Sequence, residues 1–390
     1  MVEKLMNNIF LKANQFTNFK ISDLKIDGDI LNPTVSLCHH CYTHIPAYVY
    51  HKDGQVWMAK KCKVHGVSHH MIERDYEFYC SLKKNFKFHW NNTVMFELSD
   101  RCNLECPHCY HMPDNSVVDK PVSDIIDHIK SWYKPEMHIL FAGAEASLHP
   151  HLIRVIEEIR DTFNYDQTGI LTNGIRFADL DYLQKCADAG LKGMMIGLNH
   201  PSYINNKTIR NKQIKAITNA NQIDFPLGYI GYTMSSISEL EDILKETTES
   251  TWHTGMFRIR YGSDIGRYPD QERMYVSDIY KIVKSWCERN NKTIKFLDNS
   301  DDNLYHVMVN INGVNYRLIQ WCDITDIDME ELRTGPWCSF VDDGLTNFLH
   351  QIIRRDIEKN KKIILPDVPP LRYRYEGKDI TSPLNFNDLI

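Results

Sequence analysis

Between residues 93 and 262, strand-like apolar runs alternate with amphipathic helical stretches, and this alternation limits the fold more than any other feature. Runs at 93–98, 137–142, 168–172, 193–198, 227–233 and 256–261 have the length and β-branched or aromatic content of buried strands. Helical periodicity fills the intervals at about 122–132, 150–162, 179–189, 208–221 and 238–248. Strands separated by helices pair in parallel, because a parallel connection must cross over the sheet. The expectation is an α/β fold: a partial (βα)6 TIM-like barrel over 93–270, open on one side. An N-terminal segment, 1–92, and a C-terminal extension, 271–390, complete the division.

The first strand of the repeat, Thr93 to Leu98, runs into Arg101-Cys102-Asn103-Leu104-Glu105-Cys106-Pro107-His108-Cys109-Tyr110. Three residues separate the first two cysteines and two the last pair. That spacing wraps a loop around one corner of an iron–sulfur cubane, with three thiolates on three irons and the fourth iron open. An open coordination position on a metal is a reactive one. Strand C-terminal ends are also where α/β barrels keep their chemistry. The competing reading is three structural cysteines or a partial zinc site, but zinc wants four ligands and no local fourth follows.

A second cysteine pattern lies upstream. Cys38-His39-His40-Cys41 is followed by Cys62-Lys63-Val64-His65-Gly66, with a β-hairpin from Ala47 to Met58 turning at Asp53-Gly54. Two ligand pairs on tight knuckles around a hairpin form a zinc-ribbon-like unit. Cys38, Cys41, Cys62 and His65 make a Cys3His set without an open position, so its role is structural. The metal is zinc or mononuclear iron, with His40 or His44 as replacement ligand in the alternative.

The Cys-x3-Cys-x2-Cys loop resembles the signature of the radical S-adenosylmethionine (SAM) superfamily. The order of ribbon, hairpin and cluster loop is similar to one subgroup, which includes an archaeal tetraether lipid synthase and a pterin methyltransferase. The resemblance covers roughly residues 35–200. It implies that Cys102, Cys106 and Cys109 hold a [4Fe–4S] cluster and that the open iron binds the amino and carboxylate groups of SAM. It further implies that His108 lies near the adenine. The second strand ends in Gly143-Ala144-Glu145-Ala146, where the family has Gly-Gly-Glu-Pro. Gly143 and Glu145 would therefore hold the SAM amino group. Ala144 is strained if that position needs positive φ and serves if it needs only smallness. Asn173, in the Thr172-Asn173-Gly174 that ends strand three, would lie near the SAM ribose or carboxylate.

Further residues are placed at the barrel mouth by position. Asn199 and His200 end strand four and are candidate substrate contacts. Alternation puts Arg258 and Arg260 on one face of strand six and Phe257, Ile259 and Tyr261 on the other, and one of these faces is the lumen. Buried guanidinium groups need anionic partners: the SAM carboxylate, a substrate phosphate or carboxylate, or barrel glutamates. Arg267 on the following loop could add to a substrate site. Beyond it, an amphipathic helix at 275–291 and strands at 292–297, 305–311 and 314–319 form a small α+β extension outside the barrel. Cys322 and Cys338 follow; buried free thiols or part of an auxiliary cluster are both open readings, and the subgroup's extra clusters have no full counterpart here. The proline- and aromatic-rich stretch 363–390 is expected to pack in extended form.

Composition narrows the class. A net charge of −6 gives no general nucleic-acid-binding surface, and no apolar stretch reaches the length of a membrane span. Eleven cysteines, clustered and without an export signal ahead of them, indicate metal sites in a reducing cytoplasm rather than disulfides. The expected function is radical SAM chemistry. A flavodoxin- or ferredoxin-type reductant would supply the electron. The hydrogen would come from a small, anionic or nucleotide-like substrate, leading to methylation, carbon–carbon bond formation or rearrangement. Two other classes stay open: a SAM-independent iron–sulfur electron-transfer or sensor protein, and a metal-ribbon binding module on a degenerate barrel.

Overall fold

The computed structural model describes residues 20–319, except 39, 41–43, 85–92, 107–108, 110–112, 132, 134, 136–137, 166, 199–205, 235, 251–255, 262–273 and 298–305. Beyond 319 it describes only two short paired strands, Tyr373–Tyr375 and Lys378–Ile380. The expectations for residues 1–19, and those for Cys41, His108, Asn199, His200, Arg267, Cys322 and Cys338, lie outside the described residues.

Four antiparallel strands open the chain: β1 (Asp29–Leu37), β2 (His44–Lys52), β3 (Gln55–Cys62) and β4 (Gly66–Glu73), in that order across the sheet. The hairpin expected at 47–58 is the centre of this larger sheet. It turns where Asp53 and Gly54 both take positive φ, 52° and 75°, the two-residue turn whose twist matches the strands it joins. Helix α1 (Tyr76–Lys84) then leads into the βα repeat.

The repeat follows as β5 (Thr93–Ser99), α2 (Val122–Lys130), β6 (His138–Gly143), α3 (Leu152–Phe163), β7 (Thr168–Thr172) and α4 (Leu180–Ala189). It continues with β8 (Leu191–Gly197), α5 (Lys207–Gln222), β9 (Leu227–Met234), α6 (Ile237–Glu249) and β10 (Met256–Tyr261). Polar caps set three helix starts. The side chains of Asp179, Asn206 and Ser236 accept first-turn N–H groups of α4, α5 and α6. All six strands pair in parallel in chain order, as the alternation requires.

The C-terminal extension does not stand outside this sheet. After α7 (Val276–Arg289) come β11 (Ile294–Phe296), β12 (His306–Ile311) and β13 (Val314–Ile319), and β13 pairs in parallel with β10. One nine-stranded sheet therefore runs β11-β12-β13-β10-β9-β8-β7-β6-β5. Spacing in the sequence marked the hairpin but carried no signal for the edge it would join. The strand expected at 292–297 is shorter, Ile294–Phe296.

Alternation assigns the two faces. Ile170, Met194, Ile196, Ile230, Tyr232, Phe257, Ile259, Tyr316 and Leu318 are buried beneath the helices. On that side Tyr316 donates to Thr247 of α6 at 2.9 Å, and the ring of Phe257 lies between those of Tyr232 and Tyr316. The opposite face carries Tyr229, Thr233, Arg258, Arg260 and Arg317. The lumen face of strand six is thus the arginine face.

A polar seam joins the N-terminal sheet to α7. Glu73, almost fully buried at the end of β4, accepts from Ser277 Oγ at 2.5 Å and from the backbone of Arg74 and Asp75. Arg74 pairs with Asp278 at 3.4 Å and Lys281 with Asp75 at 2.6 Å. Burial raises the Glu73 pKa although these hydrogen bonds oppose the shift. Among the described residues, no helix is long and apolar enough to cross a membrane.

Candidate functional site

The loop after β5 is closed on itself before any metal is considered. Asp114 N–H donates to the Asp100 carbonyl at 3.0 Å and Cys109 N–H to the Cys106 carbonyl at 3.1 Å. Asn115 Oδ1 accepts from Cys102 N–H at 3.0 Å. Cys102, Cys106 and Cys109 are all half-buried and none is in a disulfide. Two donors point at the Cys102 sulfur: Leu104 N–H at 3.4 Å and Asn173 Nδ2 at 3.8 Å. Burial pushes the Cys102 thiol up to about 11, with Glu145 and Cys109 adding to the rise and the Leu104 and Asn173 donors opposing it. A cation bound there would reverse this balance and hold the thiolate.

The loop is anchored by an ion pair that the sequence did not single out. Arg101 bonds Asp119, whose side chain is only 4% exposed, and donates to the Leu148 carbonyl at 3.0 Å. Ser99 Oγ donates to the same aspartate at 2.7 Å. Buried His149 holds the neighbouring segment. Its Nδ1 accepts from His151 N–H at 3.3 Å, so its Nε2 carries the proton donated to the Lys120 carbonyl at 3.1 Å. Burial lowers its pKa, consistent with a neutral ring.

The turn after β6 passes hard against the end of β5. Gly143 has φ +114°, and a Cβ there would lie 2.4 Å from the Ser99 carbonyl oxygen. Ala144 N–H donates to that same oxygen at 2.9 Å. Ala144 is not among the residues with positive φ, so smallness, not left-handed backbone, is the demand at its position. Its replacement of the family glycine is conformationally unstrained.

Glu145 is buried, with its side chain turned into the fold. Oε1 accepts from Ser147 N–H at 3.1 Å and Thr172 Oγ1 at 2.7 Å, and Oε2 accepts from Asn173 N–H at 2.6 Å. Burial raises its pKa against these bonds. Asn173 is held on every side: its carbonyl accepts from Gln213 Nε2 at 3.0 Å, its Oδ1 accepts from Ile175 N–H, and its Nδ2 donates to Asn103 Oδ1 at 2.7 Å. A chain of hydrogen bonds thus runs from the end of β6 through Glu145 and Asn173 to the first cysteine. Thr172, of the Thr-Asn-Gly that ends β7, belongs to it, as does Gln213, which is 1% exposed and was not legible from sequence.

Across the sheet, Arg258 Nη1 donates to Tyr229 Oη at 2.7 Å and Arg260 Nε donates to Thr233 Oγ1 at 2.9 Å. Burial lowers the Arg258 pKa, and the charges of Arg260 and Arg317 add to the shift while Tyr229 opposes it. Arg317 is the third member, in direct register with Arg258. The sequence reading left it in the extension, because its pairing partner is not visible in the sequence.

The ribbon gathers a separate donor set. The ligand atoms of Cys38, Cys62 and His65 all lie within 4.8 Å of one another. His65 Nδ1 stands 3.5 Å from each sulfur. Tetrahedral zinc, with bonds of about 2.3 Å to sulfur and 2.0 Å to nitrogen, sets sulfur and nitrogen about 3.5 Å apart. The donors present fit such an ion.

Comparison with known proteins agrees with both halves. Residues 96–247 match the model of the radical SAM superfamily and residues 30–74 that of the HMPTM N-terminal zinc ribbon domain. The chain is similar to 7,8-dihydro-6-hydroxymethylpterin dimethyltransferase of Methanocaldococcus jannaschii, 26% identical over 230 residues, which are 49% of this chain and 45% of that one. It is also similar to GTP 3',8-cyclase of Staphylococcus carnosus, 27% identical over 150 residues, 36% of this chain and 43% of the relative. The chain spans less than half the length of either. Among solved structures, SuiB of Streptococcus suis bound to S-adenosylmethionine aligns with a TM-score of 0.41 and 14% identity, over 63% of this chain and 54% of that one.

Proposed function

From a chain that carries a radical SAM domain behind an HMPTM-type zinc ribbon, we propose an enzyme that cleaves SAM reductively at the loop Cys102–Cys109 and acts on an anionic substrate in the barrel lumen. Cys102, Cys106 and Cys109 would hold a [4Fe–4S] cluster, which would supply the electron for reductive cleavage of SAM and so the means of taking hydrogen from the substrate. The single observation that carries this reading is the hydrogen-bonded chain Thr172–Glu145–Asn173–Cys102, which ties the cysteine loop to the ends of β6 and β7.

In this proposal the chain's own residues do three things. Arg101 and Asp119 fix the loop's entry. Glu145 holds Asn173 through its backbone, and Asn173 presents its amide to the Cys102 sulfur, where a donor stabilises negative charge. A carboxylate offers about four lone-pair sites, and three on Glu145 are engaged, so one on Oε2 is left for the SAM ammonium group. Gly143 keeps that turn close to β5. The ribbon, with Cys41 as fourth ligand, holds zinc structurally and braces α7 through Glu73.

The reductant in this reading is a flavodoxin- or ferredoxin-type protein. The curated relatives include a dimethyltransferase and a cyclase. Methyl transfer, carbon–carbon bond formation and rearrangement are therefore the product classes to be sought. The test is anaerobic: reconstituted full chain, SAM and dithionite, with 5'-deoxyadenosine measured by mass spectrometry. Formation of 5'-deoxyadenosine that is lost in Cys106→Ala is expected. Protein with its full iron complement that yields none would overturn the proposal in favour of an electron-transfer or sensor role.

A further inference from the structure

We infer that Arg258, Arg260 and Arg317 form a subsite for a phosphate-type group of the substrate, built jointly by the barrel and the C-terminal hairpin. The inference rests on the proposed lumenal reaction and narrows its substrate class.

Three observations carry it. The first is register: Arg258 on β10 pairs directly with Arg317 on β13, and Arg260 follows on the same face two residues on. Neighbouring strands lie about 4.8 Å apart and two residues advance about 6.6 Å, so the three Cα atoms span little more than one oxyanion group and its hydrogen bonds. The second is orientation. Tyr229 Oη and Thr233 Oγ1 accept from Arg258 and Arg260, which fixes where each guanidinium fork points. The third is charge: the guanidinium groups of Arg260 and Arg317 both bear on Arg258. Such a cluster attracts a multiply charged anion more strongly than a singly charged one, and planar forks suit phosphate oxygens.

These arginines are assigned to the substrate and not to the SAM carboxylate. On the proposed reading it belongs beside the cysteine loop at β5, with Glu145 and Asn173 at the ends of β6 and β7. β10 lies three strands beyond β7, about 14 Å along the sheet. The arginine face opens toward the same strand ends as the cysteine loop, because β5 to β10 all run parallel. A substrate anchored there by its phosphate would extend across the lumen toward the proposed SAM position.

The experiment is calorimetric titration of the anaerobically reconstituted full chain, with SAM present, using inorganic pyrophosphate, inorganic phosphate and citrate as separate probes at fixed ionic strength. Saturable pyrophosphate binding with a Kd of about 1 mM or tighter is expected, weakened at least tenfold in Arg317→Gln and in Arg260→Gln, with iron per chain unchanged. Arg260→Gln keeps the test decisive if Arg317→Gln does not fold. Absence of pyrophosphate binding, equal binding in both variants, or binding of citrate in its place would overturn the inference. Pyrophosphate binding without 5'-deoxyadenosine formation by the wild type sinks the proposed reaction and leaves this subsite standing. 5'-Deoxyadenosine formation without pyrophosphate binding does the reverse.

Discussion

Replacing Gly143 by alanine should damage the protein far more than a methyl group added to an open turn. A Cβ at this position would lie 2.4 Å from the Ser99 carbonyl oxygen, where carbon and oxygen approach no closer than about 3.3 Å. The turn must therefore move by roughly 0.9 Å, against a backbone atom that cannot rotate away. Positive φ costs a non-glycine residue about 1–2 kcal/mol. The displacement also strains the Ala144 N–H bond to the same oxygen, worth about 1 kcal/mol, and overpacking adds about 1–3 kcal/mol. The sum is a loss of about 3–6 kcal/mol, and it falls beside Ser99 and Arg101, which anchor the cysteine loop. Gly54→Ala is the control: its φ is also positive, but a Cβ there meets nothing within 4 Å, so only about 1 kcal/mol should be lost. Denaturant unfolding of both variants, with iron counted after anaerobic reconstitution, gives the comparison. Equal losses in the two variants, or full iron retention in Gly143→Ala with a loss under about 1 kcal/mol, would refute the crowding argument.

Three further outcomes follow from the same contacts. Asp119→Ala removes the partner of a partly buried Arg101 and should cost about 3 kcal/mol, visible as a shifted urea midpoint; a surface-like change of under about 0.5 kcal/mol would contradict it. Glu73, its pKa raised above 4.5 by burial, stays protonated in the fold at pH values where the unfolded chain has already ionised. Wild-type stability should therefore fall as pH rises from 4.5 through the folded pKa, and Glu73→Gln should flatten that part of the profile; parallel profiles would show that the carboxyl does not titrate there. Cys62→Ser should lose zinc and loosen the N-terminal sheet, read by hydrogen exchange in β3 and β4, while iron stays bound.

The βα alternation was legible because each strand must bury one face under a helix, which imposes apolar runs of fixed length. Cysteine spacing was legible because metal ligands on a short loop leave little freedom. What escaped was long-range pairing. Arg317 reads as an ordinary strand residue until β13 is placed beside β10, where it stands in register with Arg258, 59 residues earlier in the chain. The Arg101–Asp119 pair and Gln213 escaped for the same reason, since no local period links them to the loop they hold. Glu145 was legible from its motif; that its carboxylate also accepts from Ser147, Thr172 and Asn173 is not something a motif alone reveals.

The most direct measurement is a metal count on the full chain after anaerobic reconstitution and desalting, for wild type, Cys106→Ala and Cys62→Ser. Two independent sites predict about four irons and one zinc in the wild type, zinc without iron in Cys106→Ala, and iron without zinc in Cys62→Ser. Wild-type protein with no stable iron, or a Cys106→Ala variant that keeps it, would contradict the account at its base.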